Sequence, residues 1–150
     1  HTGWIIMLCQ LPISWIFERF RAMPSFIFGL GLAGVGLGVL GLAAIGAPAL
    51  VFVGIALFAI GEMITSPRIQ EYITWIAPKE KAGLYMGSNF LGTMIGGFTS
   101  GFTCTSLYGV FNKAGHPQTV WFVMATHMFI GVVAFYLFVR LAGEFKEQES

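Results

Sequence analysis

Apolar residues gather along this chain into five long runs, at positions 3–17, 24–44, 48–66, 82–109 and 118–141, and charge, proline and glycine interrupt them. About 20 helical residues, rising 1.5 Å each, cross about 30 Å of hydrocarbon. Most of the runs reach that length, and the first is short. The gaps at 18–23, 46–48, 67–81 and 112–117 read as loops. Part of the third gap still carries a helical pattern. In IQEYITWI, Ile69, Ile73 and Ile76 share one side while Gln70, Glu71 and Thr74 turn elsewhere, so the third helix is predicted to extend to Ile76. The fold class is therefore an all-α membrane protein with five transmembrane helices. Residues 1–143 form the bundle and the polar residues 144–150 form a tail.

Composition sharpens that reading. Apolar residues make up 56% of the chain and charged residues 10%, with a mean hydropathy of +0.78. A soluble fold cannot hide so much apolar surface, so the lipid bilayer is the expected partner. A net charge of +1 supplies no basic field for nucleic acid. Crossing the membrane at each run puts Arg19, Arg21, Arg68, Lys79, Lys81, Arg140 and Lys146 on one side and only Lys113 on the other. By the positive-inside rule the richer side, and with it the C-terminus, is cytoplasmic. The tryptophans agree: Trp4 and Trp121 fall near the outer interface, Trp15 and Trp75 near the inner one. The chain starts at His1 without a basic n-region or cleavage site, so no signal peptide is read, and it is expected to be the C-terminal part of something longer. Cys9 and Cys104 lack metal-ligand spacing and read as small packing residues.

Several motifs need weighing. Gly29, Gly31 and Gly34 spell a formal GxGxxG, but no strand precedes them and no acidic residue follows within the run, so a dinucleotide site is rejected. Gly34 and Gly38 form a GxxxG, which predicts close helix packing. In the fourth run Asn89, Thr93, Ser100 and Thr103 share one helical face that can line a water-filled path. Their hydroxyls can equally bond backbone carbonyls or a neighbouring helix. Leu84, Leu91, Ile95, Phe98 and Phe102 suit lipid on the opposite side, and Gly83, Gly87, Gly97 and Gly101 form a third surface for narrow packing. Gln10, beside Pro12, reads as either a cavity-lining residue or a buried interhelical hydrogen bond. His127 is the lone ionisable group well inside the fifth run. It can relay protons or stay neutral and hydrogen-bonded within the bundle. His116, beside Pro117, reads as solvated.

The central candidate is Glu62. If the third helix reaches Ile76, this carboxylate lies near the middle of a membrane span. An unpaired buried carboxylate costs several kcal/mol, so Glu62 must be protonated, paired or facing a wet cavity. Such a group can exchange a proton for a cationic part of a solute. The alternative is a glutamate that reaches interfacial water or bonds a neighbouring helix. Pro67 withholds a hydrogen bond from the Met63 carbonyl and predicts a kink just below the acid. Arg68 is spaced to meet Glu71 or Tyr72 and reads as a helix-face or headgroup contact.

At these residues the sequence resembles the proton-coupled oligopeptide transporter family of the major facilitator superfamily. Glu62-Met63-Ile64-Thr65-Ser66-Pro67 is similar to the family's E-L-x-x-S-P. APKEKAGLYMG, 77–87, is similar to A-P-K-x-x-x-G-x-x-M-G, and ERFRAMPSFIFGLGL, 18–32, carries Arg21 and Pro24-Ser25 in the order R-x-x-P-S. The resemblance implies the last five helices of a twelve-helix fold, in a bacterial inner membrane. It also implies proton-driven uptake of di- and tripeptides by alternating access, with Glu62 helping to bind the peptide amino terminus. Protons, the peptide and the missing N-terminal half of the transporter are then further partners. The chain departs from the family around Asn89, where a tryptophan is usual, and at Arg68, where a small or apolar residue is usual. On this reading Glu62, Asn89, Thr93 and Gln10 are the substrate and proton candidates, and no cofactor or metal is expected. Two alternatives stay open: a facilitator-type carrier for sugars, drugs or organic anions, and a non-transporting membrane subunit. An intramembrane enzyme is disfavoured, because no paired carboxylates, nucleophile triad or metal cluster is evident.

Overall fold

A computed structural model describes residue 10 and residues 12–13, 15–17 and 19–142. The expectations for Trp4, Cys9, Lys146 and the tail at 144–150 lie outside the described residues. The described residues of the first run that precede Glu18 are helical. Four helices follow: α1, Ala22–Gly46; α2, Leu50–Ile76; α3, Ala82–Lys113; and α4, Thr119–Ala142, with a 3-10 turn at Lys79–Lys81 between α2 and α3. The extension to Ile76 is found as the isoleucine pattern predicts. The helix predicted over 82–109 runs on to Lys113.

Local chemistry sets these limits. Ala77 leaves the helix for extended backbone, φ −80° and ψ 128°, because the ring of the following Pro78 disfavours helical geometry at the residue before it. At the other end of α3, Gly115 adopts φ +82°, where a side chain would be strained. The Gly115 amide donates to Asn112 O at 3.1 Å and the His116 amide to Phe111 O at 2.9 Å, the paired bonds of a Schellman cap. Pro117 then rules out continuation.

The α1 helix lies in the middle, antiparallel to α2 on one side and to α4 on the other. Each step up α1 is matched by a step down α2. A Cβ on Gly29 would meet Thr65 Oγ1 at 2.5 Å and Gly61 O at 2.9 Å, whereas one on Gly36 would meet Phe58 N at 2.6 Å and Gly54 O at 2.8 Å. Backbone thus touches backbone at glycines seven apart on both helices, the spacing of a left-handed helix pair. On the other side Gly41 receives the Phe122 ring, Gly34 meets Met128 and Phe129, and Phe26 packs edge-on against Phe135 with ring centroids 4.9 Å apart. Arg21, just ahead of α1, therefore lies at the same end of the unit as Arg140 near the end of α4.

Two packing expectations are corrected. Gly38 has nothing within 4 Å of a built Cβ, so the GxxxG of Gly34 and Gly38 is not the close contact. The heptad pairs Gly29/Gly36 and Gly54/Gly61 make it, since an antiparallel, left-handed pair repeats every seven residues. Gly83, Gly87, Gly97 and Gly101 also stand clear of every neighbour. None of the 32 residues of α3 is buried, so its narrow-packing surface meets no described element.

Among the described residues three helices, α1, α2 and α4, are long and apolar enough to cross a membrane. The α3 helix is longer still, about 48 Å at 1.5 Å per residue, but its serines, threonines and asparagines dilute its hydropathy. Among the described tryptophans, Trp15, Trp75 and Trp121 are 61%, 40% and 37% exposed, which suits rings at an interface.

Candidate functional site

The face that α2 buries against α1 is marked by Gly54, Gly61, Ile64 and Arg68. The neighbouring stripe carries Ala59, Glu62, Met63 and Ser66, separated by three, one and three residues and so stacked along one helix face. These four residues and Gln10 line a cleft of about 240 Å³. Two of the four predicted substrate candidates, Gln10 and Glu62, are therefore brought together. Glu62 lies about 18 Å from Leu50 and about 21 Å from Ile76 at helical rise, the midpoint of the span. The α1–α2 register sets it level with Leu30, which in turn touches Gly131 of α4.

The cleft offers a carboxylate, a primary amide and a hydroxyl on a wall otherwise made of a methyl group and a thioether. Glu62 is exposed to it and Gln10 half-buried. Among the described residues neither has a hydrogen-bond or ion-pair partner. Of the three outcomes set out for the acid, pairing within the described chain is not the one observed. The carboxylate accepts, and the amide both donates and accepts, so the pair can hold a polar or cationic group at the centre of an apolar span.

The glycine contacts position this acid. Gly61, the residue before Glu62, is pressed onto α1, and its carbonyl accepts a hydrogen bond from Thr65 Oγ1 at 2.7 Å. That contact fixes the rotation of α2 and turns Glu62 toward the cleft rather than toward α1. Pro67 lies inside the continuous helix. Arg68 pairs with Glu71, as the spacing predicts. It is not a headgroup contact, because it is only 2% exposed. The register sets it opposite the first turns of α1, where Ala22, Met23, Ser25 and Phe26 are buried. The signal for that burial was present in the sequence: positions 54, 61 and 68 continue one heptad.

Asn89 and Thr93 do not join the cleft. Both lie on α3, Asn89 half-buried and Thr93 exposed. The Thr93 hydroxyl donates to Asn89 O at 3.0 Å, and Ser88, Thr99 and Thr105 bond the carbonyl four residues back in the same way. Those hydroxyls are satisfied by their own helix. His127 also departs from expectation. It faces outward from α4 beside a cavity of about 330 Å³ that it shares with Phe122, Val123, Thr126 and Ile130. It has no hydrogen-bond partner among the described residues, so it is not bonded within the described bundle. No group of three metal-ligating side chains occurs among the described residues.

Comparison with known proteins gives one consistent likeness. The chain is 33% identical to the multidrug resistance protein MdtH of Aeromonas salmonicida over 90 residues, which is 60% of this chain and 22% of that protein. It is 27% identical to the MdtH proteins of Escherichia coli strain SE11 and Shigella sonnei over 100 residues, 67% of this chain and 23% of each relative. The matched region thus spans less than a quarter of the length of these relatives. No family model matches the chain, and no solved structure matches it.

Proposed function

We propose that this chain is the C-terminal membrane portion of a secondary carrier of the major facilitator type, and that the carrier moves small organic solutes of the drug class. The similarity to MdtH proteins, which are named multidrug resistance proteins, carries this reading. It favours the drug carrier, one of the alternatives open at the level of sequence, over peptide uptake. An acid and an amide at the midpoint of a membrane span support it, because secondary carriers bind substrate and coupling ion near the midplane between two helical units. Glu62 is the proton and substrate group, and Gln10 orients the solute. Pro67 supplies a kink below the acid. Asn89 and Thr93 lie on a face of α3 that borders the same path once the rest of the carrier is in place. The basic ends of α1, α2 and α4 are cytoplasmic, in a bacterial inner membrane. A second reading, proton-coupled peptide uptake, is favoured by the resemblance at Glu62…Ser66-Pro67, at 77–87 and at Arg21…Pro24-Ser25.

The full-length protein in proteoliposomes separates the two. Under an imposed proton gradient, flux of a fluorescent cationic drug probe and of a labelled dipeptide is compared between wild type and Glu62→Gln. Probe flux that follows the gradient and is lost in Glu62→Gln at equal protein level is expected. Dipeptide flux without probe flux moves the reading to peptides. Flux of neither, in protein shown to be folded, overturns both.

A further inference from the structure

On α2 the hydroxyls of Thr65 and Thr74 donate to the carbonyls of Gly61 and Gln70, four residues back. Ser66 does not follow them. Its side chain is exposed on the cleft wall and has no hydrogen-bond partner among the described residues. Directly after it, Pro67 stands inside the same helix and has no N–H to donate to the Met63 carbonyl four residues back. Helix carbonyls point toward the C-terminus, so Met63 O lies beside Ser66 on the stripe that lines the cleft. The proline thus opens a backbone acceptor one turn below the acid.

The cleft therefore gathers the Glu62 carboxylate, Ser66 Oγ, Met63 O and the amide oxygen of Gln10 around one space. All of them accept hydrogen bonds. A protonated primary or secondary amine carries two or three N–H groups that lose water on entering an apolar span, and each needs an acceptor there. With a carboxylate among those acceptors the bonds are short and charge-assisted. A quaternary ammonium group has no N–H to match them, and its carbon shell holds the charge away from the carboxylate. Aromatic faces are what such a group takes, and the rest of this wall is Ala59 and Met63, without a ring. A bare alkali ion would leave most of the 240 Å³ and that apolar wall unused.

We propose that Ser66, Gln10 and the Met63 carbonyl freed by Pro67 make the Glu62 cleft selective for protonated primary and secondary amines over quaternary ammonium groups. This rests on the reading of Glu62 as the substrate group and narrows the solute to one whose cationic end bears N–H.

The test measures equilibrium binding of phenylbutylamine and of its N,N,N-trimethyl analogue to the full-length protein in detergent. Both are cationic at neutral pH and share ring and chain, so their ratio of Kd values reads the N–H groups alone. Wild type is expected to bind the amine about 10-fold or more tightly than the analogue, the least that hydrogen bonds to a charged group contribute. Ser66→Ala and Gln10→Leu each remove an acceptor, and Pro67→Ala returns the N–H that covers Met63 O. Each is expected to lower the ratio by about 3-fold or more with the analogue's own Kd little changed. Loss of a kink or of general fit would move both ligands alike and leave the ratio where it was. A ratio near one in wild type overturns the selectivity and leaves the carrier reading standing, whereas binding of neither ligand by folded protein overturns both. A wild-type ratio that persists in any one variant removes that acceptor from the cradle.

Discussion

Gly61 of α2 and Ala33 of α1 meet backbone to backbone: a Cβ built on Gly61 would lie 2.6 Å from the Ala33 amide nitrogen. Nothing flexible stands between them that could give way. Because Glu62 follows directly, the contact that joins the helices also aims the acid.

Gly61→Ala is therefore expected to push α1 and α2 apart and to destabilise the protein by about 1–3 kcal/mol, the usual cost of overpacking. Gly38→Ala, which meets nothing within 4 Å, is the control and should stay within about 0.5 kcal/mol of wild type. Thermal unfolding in detergent compares the two. Equal stabilities would show that the glycine contact does not hold the helices.

The cleft predicts a pattern of water access along one turn of α2. In a background lacking Cys9 and Cys104, Glu62→Cys and Ser66→Cys should react with a membrane-impermeant thiol reagent. Ile64→Cys, at a position 1% exposed and facing α1, should be protected. Similar labelling rates at all three positions would remove the distinction between a cleft face and a packed face.

The Arg68–Glu71 pair makes an asymmetric prediction at the basic end. Glu71→Ala takes a charged partner from a guanidinium that is almost fully buried and should cost roughly 1.5–3 kcal/mol, as for hydrogen bonds to charged groups. Glu80→Ala, in the exposed turn after α2, should change stability by less than about 0.5 kcal/mol. Denaturation midpoints of the two variants give the comparison, and matching values would mean that the Arg68 pair is structurally idle.

The sequence made the helices legible because each apolar run is bounded by Pro, Gly or charge, and the isoleucines at 69, 73 and 76 carried α2 through its polar end. It also pointed to Glu62, since a carboxylate in the middle of an apolar run has few bland explanations. Partner choice was harder to read. Gly34 and Gly38 have the familiar spacing of four, yet Gly38 touches nothing, because α1 and α2 run antiparallel and repeat every seven residues. Arg68 looked like a surface cation until that same repeat carried it onto the buried face. Gln10 gave no local sign of facing Glu62, because contact between separate helices depends on how each is rotated, and neither sequence alone sets that angle. The satisfied hydroxyl of Thr93 was foreseeable as a type of contact but not as an outcome.

The central place of α1 also sets an order of assembly. Its contact with α2 spans only the short loop at 47–49, so the glycine faces can close as soon as α1 and α2 are both in the membrane. Its contact with α4 must wait until all of α2 and α3 have been made. A chain threaded into a bilayer one helix at a time therefore frames Glu62 against α1 before α4 has been made.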